Sequence, residues 1–258
     1  MRWWEGVILA VGVTLGVTVL FIAERDRTRS AAERAFAKAE LLAAQQRADS
    51  LRQAVVKYEE AARLYRRLGE RGKEAVCLAR IGFLSHQLGD LRKALEYLSR
   101  ALAIFRDVGN RAREATTLNN IGQVYFALGE KQKALEYYTQ ALDIFRAVGD
   151  RDGEATTLNN IGQVYFALGE KQKALEYYTQ ALDIFRAVGD RAEEVTTLNN
   201  IGLLYSALGE NQKALEYYTR ALAISRVVGE RDIEVGFRKG EGIRKTSKRG
   251  HVFKRRRR

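Results

Sequence analysis

The hexapeptide TLNNIG begins at Thr117, Thr157 and Thr197, each copy forty residues after the last. Around it whole units recur, Arg71–Asn110, Arg111–Asp150, Arg151–Asp190 and Arg191–Glu230, and the second and third differ only at Ala112/Asp152 and Arg113/Gly153. Within one unit, apolar residues return at helical spacing in two blocks. Leu118, Ile121, Tyr125 and Leu128 form the first face; Ala134, Leu135, Tyr138, Ala141, Leu142, Phe145 and Val148 form the second. Gly129 separates the blocks, Gly149 stands where a helix stop belongs, and Asp150 suits the N-cap of the next helix. A single helix hairpin cannot bury such a stripe. Stacked hairpins can, so the period predicts an all-α array of antiparallel helix pairs, an α-solenoid. The complete absence of proline agrees, because proline breaks helix interiors.

The spacing Ile121-Gly122-x-x-Tyr125, followed by Ala134, Tyr138 and Ala141, resembles the tetratricopeptide-repeat signature. Its small positions recur as Gly82, Gly122, Gly162 and Gly202, then Ala94, Ala134, Ala174 and Ala214, where paired helices need close approach. The forty-residue length is similar to the repeats of kinesin light chains and GoLoco-type polarity adaptors. The wording is similar to bacterial arrays that precede caspase-like CHAT domains. The resemblance covers roughly residues 50 to 235, lacks the family's usual proline, and implies a right-handed superhelix.

Upstream, Ala54, Tyr58, Ala61, Tyr65 and Gly69 keep the register, so Leu51–Leu68 is expected to be a second helix of a pair, with Ser50 and Gln53 as its capping box. The alanine-rich stretch before it stands in for the missing first helix. Further upstream, Gly6 to Ala23 is uncharged, the length of a short membrane span. Trp3 and Trp4 flank it, and Phe21 suits a signal-cleavage site poorly. The expectation is an uncleaved single-pass anchor in the cell membrane, with a cleaved signal and an exported or periplasmic protein as the alternative. Arg25, Arg27, Arg29 and Arg34 follow the span and only Arg2 precedes it, which places the repeats on the cytoplasmic side. Gly12 and Gly16 make a GxxxG pair through which two spans could self-associate. The chain thus reads as an anchor (1–28), a helical linker with a degenerate repeat (29–70), four repeats (71–110, 111–150, 151–190, 191–230) and a basic tail (231–258).

The net charge of +12 is concentrated in that tail. Gly236 to Arg258 holds eleven Lys and Arg against the single acid Glu241, a net +10, which leaves +2 for everything before it. Nucleic acid or anionic lipid is therefore a partner only for the tail, which reads as disordered. Arg231–Val235 still follows the repeat and then the pattern stops. Either the tail is genuine or the reading frame is truncated or shifted. In the second case the chain is the regulatory part of a longer protein with a CHAT-like protease or other effector domain.

No catalytic constellation is legible. The histidines are His86 and His251, and the lone Cys77 on a helix reads as a packing residue. The Glu193-Glu194 pair reads as a helix-dipole partner. No P-loop and no metal-ligand cluster is present, so neither an enzyme nor a cofactor is expected. The resemblance instead implies a concave groove lined by the first helix of each pair. Its positions are Thr116, Asn119, Asn120, Gln123 and Phe126, then Thr156, Asn159, Asn160, Gln163 and Phe166, then Thr196, Asn199, Asn200, Leu203 and Ser206. An asparagine both donates and accepts, as an extended peptide backbone requires. A ladder of asparagines could hold a peptide of a partner protein, or bridge neighbouring repeats by side-chain hydrogen bonds.

Overall fold

The computed structural model describes residues 2–227 and 229, with side chains from residue 22 onward. Every regular element among them is an α-helix: α1 (Arg2–Ala43), α2 (Ala48–Arg67), α3 (Arg71–Gln87), α4 (Leu91–Asp107), α5 (Arg111–Ala127), α6 (Lys131–Val148), α7 (Arg151–Ala167), α8 (Lys171–Val188), α9 (Arg191–Ala207) and α10 (residues 211–227). The basic tail lies outside the described residues, as do the side chains of most of the expected membrane span from Gly6 to Ala23. The backbone of that stretch belongs to α1. Among the described residues no helix is long and apolar enough to cross a membrane.

Turns are set by glycines at intervals of twenty, from Gly69 to Gly209, all left-handed with φ between 69° and 81°. Gly149 closes α6 in this conformation, as its place in the sequence predicts. Asn110 and Asp190 cap the helices that follow them by accepting backbone N–H bonds, from Arg113 in the first case and from Ala192 and Glu193 in the second.

The chain divides into two compact units, Met1–Asp150 and Arg151–Arg258. In the first, α1 to α6 pack each on the next in chain order. In the second, α7 packs on α8 and α8 on α9. Ala221 of α10 joins the core of Ala174, Tyr178, Leu182, Leu198, Ile201 and Leu204. The alanines and glycines at the signature positions bring the helices of each pair together. An added Cβ at Gly122 would lie 2.6 Å from Cε1 of Tyr138, and one at Gly202 2.7 Å from Cε1 of Tyr218. Tyr125 stacks on Tyr137 with ring centroids 5.2 Å apart, and Lys133 lies 5.2 Å above the Tyr125 ring. Tyr205, Tyr217 and Lys213 repeat the arrangement in the second unit.

Three expectations are corrected. Leu128 and Val148 are exposed, because each sits at the end of its helix, where the stripe rotates off the core. Ser50 is no N-cap: α2 begins at Ala48 behind Arg47, and the Ser50 hydroxyl donates to Oε1 of Gln45 at 2.7 Å. The break before α2 is the segment 44–47, where Gln46 takes a left-handed φ of 53°. Glu194 stands in the first turn of α9, as expected, and its carboxylate is buried there.

Cys77 is fully buried, and burial pushes its thiol up to about 12. Since only the thiolate reacts, alkylation of the folded protein at pH 8 is expected to be about a thousandfold slower than in denaturant. Native-state alkylation at the denatured rate would contradict this burial.

Candidate functional site

The predicted groove residues lie on the first helices of the pairs, α5, α7 and α9. Thr116, Asn120, Gln123 and Phe126 follow one another at steps of four, three and three, so they share one stripe of α5. The last three are half-buried and Thr116 is exposed. On α7, Thr156, Gln163 and Phe166 are half-buried and Asn160 is buried. On α9, Thr196, Asn199, Leu203 and Ser206 are exposed and Asn200 is half-buried. Thr116 and Thr196 turn their hydroxyls back to donate to the carbonyls of Ala112 and Ala192, at 3.0 and 3.1 Å.

In the second unit the first asparagine of one pair meets the second asparagine of the next. Asn119 and Asn159 are buried, and the side chain of Asn159 faces the next first-helix of its unit. Its Oδ1 accepts from Nδ2 of Asn200 at 3.1 Å and from the hydroxyl of Thr197 at 3.4 Å. Thr197 is itself buried and also donates to the carbonyl of Glu193 at 2.9 Å. The bonds of Asn159 thus tie α7 to α9, the bridging role of an asparagine ladder. In the first unit the half-buried Asn120, Gln123 and Phe126 of α5 carry polar and aromatic surface, and in the second unit Gln163 and Phe166 of α7 do.

A second repeated set, of buried and ion-paired carboxylates, escaped the sequence reading. Glu74, Glu114 and Glu194 are all buried in the first turn of a first helix, forty residues apart or a multiple of it. Each accepts from an arginine at the end of the preceding second helix: Arg66 at 2.6 Å, Arg106 at 2.9 Å and Arg186 at 2.9 Å. Arg111 and Arg191 add a second contact at 2.6 Å to Glu114 and Glu194. Burial alone would raise the Glu194 carboxyl. The hydrogen bonds from Arg186 and Arg191 outweigh it and hold the carboxyl below the usual range. Its neighbour Glu193 is shifted up by burial and then by Asp190. The signal was present in the sequence: a Glu three residues after the Arg that opens each unit, and an Arg eight residues before that Glu.

In the first unit, burial lowers the affinity of His86 for a proton. The Tyr58 hydroxyl donates to Glu40, which also lies 3.4 Å from Arg80. Among the described residues no three His, Cys, Asp or Glu side chains gather as a metal site. What the face can do chemically is form hydrogen bonds and apolar contacts.

The family profile described as tetratricopeptide repeat matches residues 74–147, 113–187 and 153–226, together more than half of the chain. No curated protein matches. Solved structures do. The chain is 22% identical to BtubC (BKLC) from P. vanneervenii, covering 80% of this chain and 92% of that one at a TM-score of 0.58. Aspartyl phosphate phosphatase F from Bacillus subtilis is 16% identical over 83% of this chain and 55% of its own, with a TM-score of 0.72. A Rap protein complexed with Competence and Sporulation Factor is 19% identical over 74% and 53%, with a TM-score of 0.67. The chain spans about half of these last two. At such identities the likeness is one of fold, and the family rests on the profile and on the glycine, alanine and tyrosine positions seen in the packed hairpins: this chain belongs to the tetratricopeptide-repeat family.

Proposed function

We propose that the chain is a protein-interaction scaffold that holds an extended peptide segment of a partner against the face of its first helices. The observation that carries this reading is the polar and aromatic stripe that each unit presents by itself, Gln123 and Phe126 on α5 of the first and Gln163 and Phe166 on α7 of the second. These side chains are half-buried yet spaced by the repeat, whereas the asparagine beside them, Asn159, is spent on bridging helices. The carboxamides would meet the peptide backbone and the phenylalanines its apolar side chains. That a structure of similar fold was solved with Competence and Sporulation Factor bound supports a binding role for such a scaffold.

The reading includes a membrane tether through the uncharged run from Gly6 to Ala23, which leads in one helix toward the first repeat. Under it the repeats work at the cytoplasmic face. The test of the binding role is selection of extended peptides from a displayed library on the full chain, followed by affinity measurement. Gln123→Ala combined with Phe126→Ala should weaken a selected peptide at least about tenfold, the loss of roughly 1.4 kcal/mol. Unchanged affinity would remove this face from consideration.

A further inference from the structure

The outer face of the α9–α10 hairpin is uncovered among the described residues. Tyr178 and Leu182 of α8 are 2% and 4% exposed beneath α9, but their counterparts on α10, Tyr218 and Leu222, are 37% and 52% exposed. Leu215 is exposed beside them, and on α9 Leu203 is an exposed apolar residue where the two units before it carry glutamine. Arg226 occupies the position of Arg66, Arg106 and Arg186, each of which pairs with a buried first-turn glutamate of the next helix. Among the described residues Arg226 is exposed and has no acid to pair with.

The earlier junctions state what fits this face. The covering helix opens with a carboxylate in its first turn, as Glu194 does, and follows it with apolar residues at +4, +7 and +10, as Leu198, Ile201 and Leu204 do. The chain's own continuation supplies only the opening. Glu234 and Val235 match Glu194 and Val195, but Arg238, Glu241 and Arg244 then fall where Leu198, Ile201 and Leu204 belong. In this register the continuation lacks the apolar pattern of the earlier covering helices. A second copy meeting this one face to face would bring its own Arg226 toward the site, not a carboxylate.

We infer that this face docks an amphipathic helix of a different protein, one with an acid in its first turn and the +4, +7, +10 apolar pattern. The docked helix takes the place of the next first-helix in the array and pairs its acid with Arg226. This surface uses none of the residues proposed to hold the extended peptide.

The probe is a peptide of α9 itself, Arg191–Ala207, acetylated and amidated, titrated onto the full chain and followed by fluorescence anisotropy. It should bind saturably. Leu222→Glu in the chain should weaken it at least about tenfold, with helicity and melting unchanged because Leu222 is exposed. Glu194→Gln in the peptide and Arg226→Ala in the chain should each weaken it about fivefold, and the two together no more than either alone. No binding up to about 1 mM, or binding indifferent to Leu222→Glu, overturns the inference. It is equally overturned if light scattering finds a dimer that Leu222→Glu converts to monomer, since the occupant is then a second copy.

Discussion

Replacing Gly122 with alanine should lower the stability of the fold by about 1–3 kcal/mol, against the general rule that alanine improves a helix. The helix gains roughly 1 kcal/mol in backbone propensity from such a change. At Gly122 the added Cβ would sit 2.6 Å from Cε1 and 2.7 Å from Cδ1 of Tyr138, a nearly fully buried ring. To restore contact distance, the ring must move by about 1 Å within a core already packed like a crystal. Gly72→Ala is the control. Gly72 lies in the first turn of α3 with nothing within 4 Å of its would-be Cβ, so the same change there should stabilise by about 0.5–1 kcal/mol. Guanidinium unfolding followed by circular dichroism measures both. A Gly122→Ala variant as stable as the parent would mean the hairpin is looser than the coordinates show. The counterparts Gly82 and Gly162 face Leu98 and Tyr178 as closely and should respond alike.

Removing both arginines around Glu194 should cost more than removing the glutamate. Arg186→Ala with Arg191→Ala leaves a carboxylate that is 3% exposed with neither of its ion-pair partners, a loss of about 3–5 kcal/mol. Glu194→Gln leaves two arginines that are part-exposed and can turn to water, a loss of about 1–2 kcal/mol. The pH dependence separates the cases. In the parent the Glu194 carboxyl is held below its unfolded value, so its contribution is present above about pH 4.3 and is lost as the pH falls through the lower folded value. In the double-arginine variant burial acts without those two partners and raises the carboxyl. That variant should therefore be least stable at neutral pH and gain on mild acidification, while the parent does not. Parallel profiles for the two proteins would contradict the assignment.

How much of this was legible in the sequence depends on the kind of signal. The period, the helix pairing and the close-approach glycines were readable, because they depend on spacing and on the absence of a side chain at Gly122. Helix ends were readable at Gly149, where only a left-handed residue fits, but not at Ser50. There a plausible capping pattern lost to the left-handed break at Gln46 two residues before α2 starts. The ion pairing of the buried glutamates was not legible: Glu194 does sit in a first turn, and the helix dipole alone explains an acid there. Its burial comes from packing against the preceding helix, which local pattern does not reveal. The asparagines were half legible. Two adjacent polar residues on a helix point about 100° apart, and in the second unit the first asparagine of one pair, Asn159, meets the second asparagine of the next, Asn200. That meeting is set by stacking, which local pattern does not reveal.

Asn159 holds α7 to α9, and the stripe beside it, Gln163 and Phe166, is the surface proposed to meet a partner. The most direct measurement takes Asn159→Ala and Phe166→Ala in parallel and records thermal stability and affinity for a selected peptide. The account predicts that Asn159→Ala loses about 1–2 kcal/mol of stability, because it removes the acceptor of the Asn200 amide and leaves Thr197 only the Glu193 carbonyl, while peptide affinity is largely kept. Phe166→Ala should weaken peptide binding markedly. An Asn159→Ala protein that melts like the parent but no longer binds peptide would contradict the account, and would return Asn159 to the groove.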